Sequence, residues 1–253
     1  KLTDTSYCQP ALFVHGLALL AVLRKEKPEF EFQAAAGLSL GEFTAHTAAG
    51  HFQFEDGLRL VANRGRLMQE ACLKTKGGMV SLIGATPDLA LVVAEQSGLE
   101  VANYNCPGQI VLSGAAENVA LAVEKGKALG LKRVLPLNVA GAYHSKLMIS
   151  AQEGLQPILE AVTISASEVA TYSNVTGRQV LGDAEIRETL LRQVTGSVRW
   201  QDCVEEMLRD GVTRLIELGP GKILAGMCKR INKDLPVLSI GSLAELQTAL
   251  PEI

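Results

Sequence analysis

The sequence predicts an α/β fold in which a parallel sheet, covered by helices on both faces, carries a smaller inserted α+β unit. Short apolar runs alternate with helical patterns before Gly77 and again after Leu147. Between these two parts, Gly77-Gly78 breaks the alternation and a β-α-β-β-α-β order follows. The 253 residues, 47% of them hydrophobic and 20% charged, are enough to bury a sizeable core.

The large unit is predicted to open with a mostly apolar, buried helix. Its first elements, in order, are a helix over 10–25, a strand over 32–36, a helix over 43–49 and an amphipathic helix over 55–73. The longest apolar run, 11–23, is interrupted by His15, and we expect it to be too short to cross a bilayer.

Residues 77–138 are predicted to form the inserted small unit, with 1–76 and 139–253 as the large subdomain. The small unit should contain a strand over 79–83, a helix over 87–96, strands over 101–104 and 109–113 around a turn at 105–108, a helix over 116–129 and a strand over 132–137. This order is that of a ferredoxin-like (βαββαβ) subdomain.

The large unit is predicted to resume after Leu147 with a helix and further alternating elements. These are a strand over 168–173, helices over 182–194 and 202–210, a strand over 213–218, a helix over 222–231 and a final strand over 237–240. Strands alternating with helices favour a parallel sheet.

Composition narrows the class of protein. A net charge of −3 gives no excess of basic residues of the kind that indicates nucleic-acid binding. Five scattered cysteines without a C-x-x-C pair predict a reduced, cytoplasmic protein without a metal. No charged-then-apolar leader opens the chain, so we expect neither export nor a membrane partner.

The most informative motif is Gly37-Leu38-Ser39-Leu40-Gly41. A G-x-S-x-G between a strand and a helix is the nucleophile elbow of hydrolase-like parallel-sheet cores, where a sharp turn exposes the serine hydroxyl. The helix N-terminus behind it favours the oxyanion that develops during acyl transfer. A Gly/Ser turn without chemical consequence is the alternative, and the strand before and helix after favour Ser39 as a nucleophile.

A serine nucleophile needs an adjacent base, and the chain has four histidines. His15 lies in an apolar helix, His46 on the helix after the elbow and His51 in a polar turn, where structural roles are adequate explanations. His144 lies in a loop where the small unit returns to the large one, and such a junction is well placed to face a cleft. The residues alone favour His144 without excluding the others.

Five motifs occur in register over almost the whole chain. They are Ala36-Gly37-Leu38-Ser39-Leu40-Gly41-Glu42-Phe43, Asn63-Arg64-Gly65-Arg66-Leu67-Met68-Gln69, Asn105-Cys106-Pro107-Gly108-Gln109, Ala142-Tyr143-His144-Ser145 and Glu217-Leu218-Gly219-Pro220-Gly221. Together they resemble the malonyl-CoA:acyl carrier protein transacylases of fatty-acid synthesis. The similarity begins at Gln9-Pro10-Ala11-Leu12 and runs nearly to the end.

The resemblance implies a role for each matching residue. Ser39 would be the acylated nucleophile, His144 its base and the Leu40 backbone N–H an oxyanion donor. The backbone carbonyl of Gln193 would orient His144, where hydrolases use a carboxylate. Arg64 would bind the free malonyl carboxylate, because a planar guanidinium offers two parallel charged hydrogen bonds. Without the resemblance, a solvated arginine on a helix face would be the simpler interpretation of Arg64.

The resemblance also implies a substrate pocket and partners. Gln9 and Asn105 match positions that line the pocket, and Tyr143 is expected to crowd a branch at the malonyl α-carbon. The expected partners are malonyl-CoA and acyl carrier protein, with no nucleic acid, no membrane and a monomeric chain. No cofactor is expected, because the coenzyme A thioester is itself the substrate.

Two departures from the family pattern stand out. Leu38 occupies a position that is often histidine, which we expect to alter support of the pocket rather than the reaction. Relatives begin with a strand and a Gly-Gln-Gly loop that supplies a second oxyanion N–H, whereas this sequence starts at Lys1-Leu2-Thr3. We therefore expect the natural protein to be longer.

The sequence thus predicts malonyl transfer to acyl carrier protein through an acyl-serine intermediate, in a ping-pong reaction. A serine esterase or thioesterase is the first alternative; it would use water in place of the carrier thiol and would not need Arg64. The second alternative is a catalytically silent acyltransferase-like docking module of a larger synthase.

Overall fold

The computed structural model describes residues 1–253 as a mixed α/β fold with parallel and antiparallel sheets. Its elements in chain order are α1 (Thr5–Glu26), β1 (Ala34–Ala35), α2 (Leu40–Ala48), α3 (Phe54–Lys74), β2 (Gly77–Ile83), α4 (Pro87–Ser97), β3 (Glu100–Cys106), β4 (Gln109–Ala115), α5 (Ala116–Ala128), β5 (Arg133–Pro136), α6 (Ile149–Glu160), β6 (Ala170–Thr171), α7 (Gly182–Arg192), α8 (Trp200–Arg209), β7 (Leu215–Leu218), α9 (Ile223–Ile231), β8 (Val237–Ile240) and α10 (Leu243–Ala249).

The parallel part of the fold differs from the single sheet that the sequence predicts. It consists of two separate two-stranded parallel sheets, β1 with β6 and β7 with β8. Strands β1 and β7 both border a largely apolar cavity of about 1230 Å³. Of the strand predicted over 168–173, only Ala170–Thr171 (β6) pairs with a neighbouring strand, so the observed strand is shorter than predicted.

The antiparallel sheet has four strands in the order β3-β4-β2-β5. Its longest pairing, β2 with β4, runs from Gly77 opposite Ala115 to Ile83 opposite Gln109. The turn between β3 and β4 has two residues, Pro107 and Gly108, rather than the predicted four, because β3 continues through Cys106. Gly108 has a φ of 70°, the left-handed conformation that a tight hairpin requires.

Helix α1 is longer than predicted and contains Pro10. By length and composition it could cross a membrane, contrary to the expectation drawn from the run 11–23. Core helices of folded domains can meet the same criterion. Contrary to the prediction of a buried helix, α1 is buried on one side only: Phe13 and Leu23 are completely buried, whereas Leu12 and Val14 are exposed. Its buried side packs against α3 and α2. The helix therefore forms part of the wall behind the elbow.

Helix α10 was not predicted, although its capping signal is present in the sequence. The Ser242 hydroxyl accepts a hydrogen bond from the Glu245 backbone N–H at 3.2 Å. The Glu245 carboxylate in turn accepts one from the Gly241 N–H at 2.7 Å. Ser-x-x-Glu is a capping box, and it starts this short helix after β8.

The fold brings four chain segments together at one place. Strands β1 and β6 are parallel, so their carboxyl ends meet at the same edge, with Ser39 following β1 and Asn174 following β6. Gln193 caps the C-terminus of α7, and His144 lies in the loop that follows β5. Packing of α2, α3, α6 and α7 around a shared apolar cluster holds these segments in place.

Candidate active site

The turn at Ser39 is held in a conformation that L-residues rarely adopt, with φ 56° and ψ −107°. Two hydrogen bonds from one side chain secure it. Asn174 Oδ1 accepts from the Ser39 N–H at 2.6 Å, and Asn174 Nδ2 donates to the Gly37 carbonyl at 2.8 Å. A Cβ at position 37 would lie 2.0 Å from the backbone of Gly41, so only glycine fits there.

His144 connects the elbow to the end of α7. Its Nε2 lies 2.8 Å from Ser39 Oγ and its Nδ1 lies 2.8 Å from the Gln193 carbonyl oxygen. A carbonyl only accepts, so Nδ1 carries the proton and Nε2 is free to accept from the serine hydroxyl. Burial, followed by the charge of Arg64, lowers the pKa of His144 to about 4, which keeps the ring neutral at neutral pH.

Arg64 reaches the nucleophile from α3 and is only 1% exposed. Its Nη2 donates to Ser39 Oγ at 3.0 Å and to Gln193 Oε1 at 2.8 Å, and its Nη1 donates to Gln9 Oε1 at 2.6 Å. The guanidinium carbon lies 5.3 Å from the centre of the Phe43 ring, a cation–π distance. Burial lowers the pKa of Arg64 to about 10, so the group is charged at neutral pH.

Gln193 contributes its side chain as well as the backbone carbonyl named from the sequence. Its Nε2 donates to the Ser39 carbonyl at 2.8 Å and to Glu42 Oε2 at 2.7 Å, while its Oε1 accepts from Arg64. The residue is fully buried. One side chain therefore links the elbow, the cation and the carboxylate of Glu42.

Glu42 is a buried carboxylate in the first turn of α2. Besides the bond from Gln193, its Oε2 accepts from the Asn174 backbone N–H at 3.1 Å, and its Oε1 has no partner. Burial raises the pKa of Glu42 to about 7, opposed by these hydrogen bonds and by the charge of Arg64. Burial therefore favours the protonated form of Glu42 more than in a solvated carboxyl group.

Leu40 is the first residue of α2, so its backbone N–H has no acceptor within the helix. The neighbouring Ser39 N–H is already taken by Asn174. The free N–H of Leu40, at the positive end of the helix dipole, is thus available to an oxyanion formed at Ser39.

The remaining predicted pocket residues have different surroundings. Gln9 is buried on α1 and binds Arg64, with its Nε2 donating to Thr5 Oγ1 at 2.8 Å. Asn105 lines the apolar cavity, and its Oδ1 is buried without a partner. Tyr143 packs between the apolar cluster shared by α2, α3, α6 and α7 and a small cluster of the antiparallel sheet, and burial raises its pKa to about 12.

The other histidines lie away from Ser39. His46 is fully buried beside His51, with ring centres 5.3 Å apart. His51, expected in a polar turn, is also buried. Its ring is satisfied there, since Nδ1 bonds the Ser165 carbonyl at 2.8 Å and Nε2 lies 3.3 Å from Thr171 Oγ1. His15 is half-buried on α1. Leu38, at the position often occupied by histidine, packs in the cluster around Trp200.

Sequence reasoning missed two residues of this network, Asn174 and Glu42. Asn174 follows a strand in Ser173-Asn174-Val175, and a polar residue at the carboxyl end of a strand is a signal that could have identified it. Glu42 resembles an acidic residue in the first turn of any helix. Only its complete burial distinguishes it from such a solvated carboxylate.

Comparison with known proteins supplies a family. A family model described as the acyl transferase domain matches residues 1–246. The malonyl CoA-acyl carrier protein transacylase of Bacillus subtilis (strain 168) is 37% identical over 257 residues, which cover 99% of this chain and 80% of that protein. The transacylase of the same name from Haemophilus influenzae is 37% identical over 248 residues, covering 96% and 80%.

Solved structures agree with these relatives. A malonyl-transacylase in complex with its type II PKS acyl-carrier protein superimposes with a TM-score of 0.94 at 36% identity, covering 100% of this chain and 82% of that one. The malonyl CoA-acyl carrier protein transacylase from Clostridium perfringens has a TM-score of 0.94 at 37% identity, covering 99% and 80%.

Proposed function

This chain belongs to the acyl transferase domain family, and from that membership we propose that it transfers malonyl groups from malonyl-CoA to the phosphopantetheine thiol of an acyl carrier protein. Such transfer supplies malonyl units for fatty-acid chain elongation. The observation that carries the proposal is the position of Ser39 Oγ, within hydrogen-bond distance of both a neutral imidazole and a buried guanidinium.

Acylation begins when Ser39 Oγ attacks the thioester carbonyl and passes its proton to His144 Nε2. The carbonyl oxygen becomes an oxyanion, stabilised by the Leu40 N–H at the N-terminus of α2. When the tetrahedral intermediate collapses, the carbon–sulfur bond breaks and His144 returns the proton to the departing coenzyme A thiolate. Malonyl-serine remains.

Transfer to the carrier is the same chemistry in reverse. His144 takes the proton of the phosphopantetheine thiol, and the sulfur attacks the ester carbonyl of malonyl-serine. Collapse of the second intermediate breaks the bond to Ser39 Oγ, which regains its proton from His144. The Gln193 carbonyl keeps the ring in the tautomer that both steps need.

Arg64 selects the malonyl group by replacing the water that its carboxylate loses on entering the site. Its Nη2 already lies next to Ser39 Oγ, and its Nε–H is buried without a partner, which leaves a donor for an arriving carboxylate. Gln9 holds the other side of the guanidinium. Asn105 and Tyr143 line the acyl pocket in this proposal, with Tyr143 disfavouring an α-methyl branch.

The alternatives explain less of this arrangement. An esterase or thioesterase has no need for a charged guanidinium kept from water beside its nucleophile. A silent docking module has no need for a serine, an imidazole and a carbonyl aligned at 2.8 Å spacings.

We extend the proposal to the subdomains, the cellular location, the oligomeric state and the cofactors of this protein. Residues 1–76 and 139–253 form a hydrolase-like subdomain, and residues 77–138 form a ferredoxin-like one, which the β3-β4-β2-β5 order supports. The enzyme acts in the cytoplasm, in keeping with five free cysteines, and as a monomer. It uses no metal or other cofactor, because coenzyme A enters as part of the substrate.

The test is incubation of the protein with malonyl-CoA and a holo acyl carrier protein, with products identified by intact mass. We expect malonyl-carrier and free coenzyme A in equal amounts. Malonic acid with unmodified carrier would instead indicate a thioesterase, and unchanged malonyl-CoA would indicate a silent module. The apo carrier, which lacks the thiol, is the control.

A further inference from the structure

Glu42 lies beyond the reacting atoms but is linked to Ser39 Oγ through two intervening side chains, Gln193 and Arg64. Its Oε2 accepts from Gln193 Nε2 at 2.7 Å, and Gln193 Oε1 accepts from Arg64 Nη2 at 2.8 Å. Arg64 Nη2 then donates to Ser39 Oγ at 3.0 Å. All three linking groups are buried, so no water competes for these bonds.

The two side chains that contact the Gln193 amide, Arg64 and Glu42, allow it only one orientation. A guanidinium only donates hydrogen bonds, so the amide must present its oxygen to Arg64. Its NH₂ group then needs acceptors on the opposite side, and Glu42 Oε2 and the Ser39 carbonyl supply two. Without Glu42, one amide hydrogen is buried and unsatisfied, and a flipped amide would point its NH₂ at the cation.

We propose that Glu42 is a positioning residue for malonyl selection: it fixes the Gln193 amide so that the amide oxygen holds Arg64 against Ser39. This inference rests on the proposed function. It does not depend on the charge of Glu42, because Oε1 has no partner and can carry a proton while Oε2 still accepts from Gln193. What Glu42 must supply is an acceptor at the position of Oε2.

That requirement separates two substitutions of similar size. Glu42→Gln keeps an acceptor oxygen opposite Gln193, whereas Glu42→Met removes it and fills the space with an apolar chain. We expect Glu42→Met to lower kcat/KM for malonyl-CoA by about 10-fold or more, in the range found when a buried hydrogen-bond donor is left without its acceptor. Acetyl-CoA has no carboxylate, so its kcat/KM should change much less. Glu42→Gln should retain the parent malonyl-to-acetyl ratio.

The experiment measures kcat/KM for both thioesters with the parent, Glu42→Gln, Glu42→Met, Gln193→Met and the Glu42→Met/Gln193→Met double variant, with Tm recorded for each. In the double variant, we expect the loss of malonyl preference to be no larger than in Gln193→Met alone, because both changes break one chain of contacts. Selectivity is the deciding readout, since damage to the fold would reduce both activities together.

Three results would overturn the inference. Equal losses of malonyl and acetyl transfer in Glu42→Met would make its role structural. A loss of preference in Glu42→Gln as large as in Glu42→Met would make the charge, and not the amide orientation, the cause. A parent without any preference for malonyl would overturn the proposed function together with this inference, whereas the first two results require an active, selective parent and leave the proposed function standing.

Discussion

Ser39 and His144 are the two non-glycine residues with positive φ in this chain, at 56° and 57°, and their side chains meet at 2.8 Å. Such a backbone conformation costs roughly 1–3 kcal/mol for each residue and persists only where the surroundings enforce it. Asn174 holds the turn at Ser39 from both sides, and the Gln193 carbonyl holds the His144 ring. Strain concentrated on these two residues favours the proposal that they form the catalytic pair.

Ser39→Ala should abolish acylation by malonyl-CoA, because no other hydroxyl shares the contacts to His144 and Arg64. Intact-mass measurement after incubation with malonyl-CoA reports the added malonyl group directly. The parent should gain one group and the variant none. A variant that gains malonyl as the parent does would show that another residue is the nucleophile.

His144→Ala should lower malonyl transfer by ~10²–10⁴, the usual contribution of a general base. His15→Ala, a half-buried histidine elsewhere, is the matched control and should retain activity. Steady-state rates with holo carrier protein provide the measurement. The choice of base would be wrong if His144→Ala had only a mild effect while His46→Ala, corrected for the folded fraction, lowered the rate by ~10²–10⁴.

The acid limb of kcat/KM should follow the pKa of His144, which lies at about 4 rather than at the usual 6.5. Only the neutral ring accepts the Ser39 proton, so activity should persist as pH falls through 6 and 5 and then decline tenfold per pH unit below about 4. Rates from pH 3.5 to 8, with circular dichroism at each pH to verify folding, test this. A decline in kcat/KM centred near pH 6.5 would contradict this prediction.

Arg64→Ala should lower kcat/KM for malonyl-CoA by the ~2–5 kcal/mol typical of breaking a buried charge pair. Transfer from acetyl-CoA should be similar or improved, since acetyl has no carboxylate to lose its water. Both substrates are measured with both proteins, and Arg66→Ala, on the exposed face of the same helix, is the control. Equal losses of kcat/KM for malonyl-CoA and acetyl-CoA would mean that Arg64 only supports the fold.

His46 should make the protein sensitive to acid. Burial, with the neighbouring His51 second, lowers its pKa from 6.5 to about 3 in the folded state. The unfolded chain therefore binds one more proton between these values, so stability present above pH 6.5 is lost as pH falls, by about 1.4 kcal/mol per pH unit for this one group.

Comparison of the parent with His46→Leu isolates that contribution, since His144 and Glu42 titrate in both proteins. The free energy of unfolding in urea, measured from pH 7 to 4, should fall less steeply for His46→Leu than for the parent. Identical slopes for the two proteins would mean that His46 is protonated in the folded state, or that it is not buried.

Local patterns predicted most of the helices and the four strands of the antiparallel sheet. Alternating apolar residues placed β2 through β5 within a few residues of their observed bounds, because strands and their turn depend on neighbours close in sequence. The separation of the parallel part into two pairs was not predictable, since apolar runs such as 213–218 do not specify their partners. The Ser242 capping box shows that α10 could have been found.

The sequence by itself determined the nucleophile elbow and, through five motifs in register, the residues to examine around it. The residues alone suggested Ser39 and favoured His144, whereas Arg64 and the Gln193 carbonyl came only from the family resemblance. Only the tertiary structure decided that Arg64 and Gln193 meet Ser39 and that Glu42 is buried behind them. The reason is physical: a hydrogen bond between residues 151 positions apart, such as that from Gln193 to Glu42, depends on how helices pack, which local sequence does not encode.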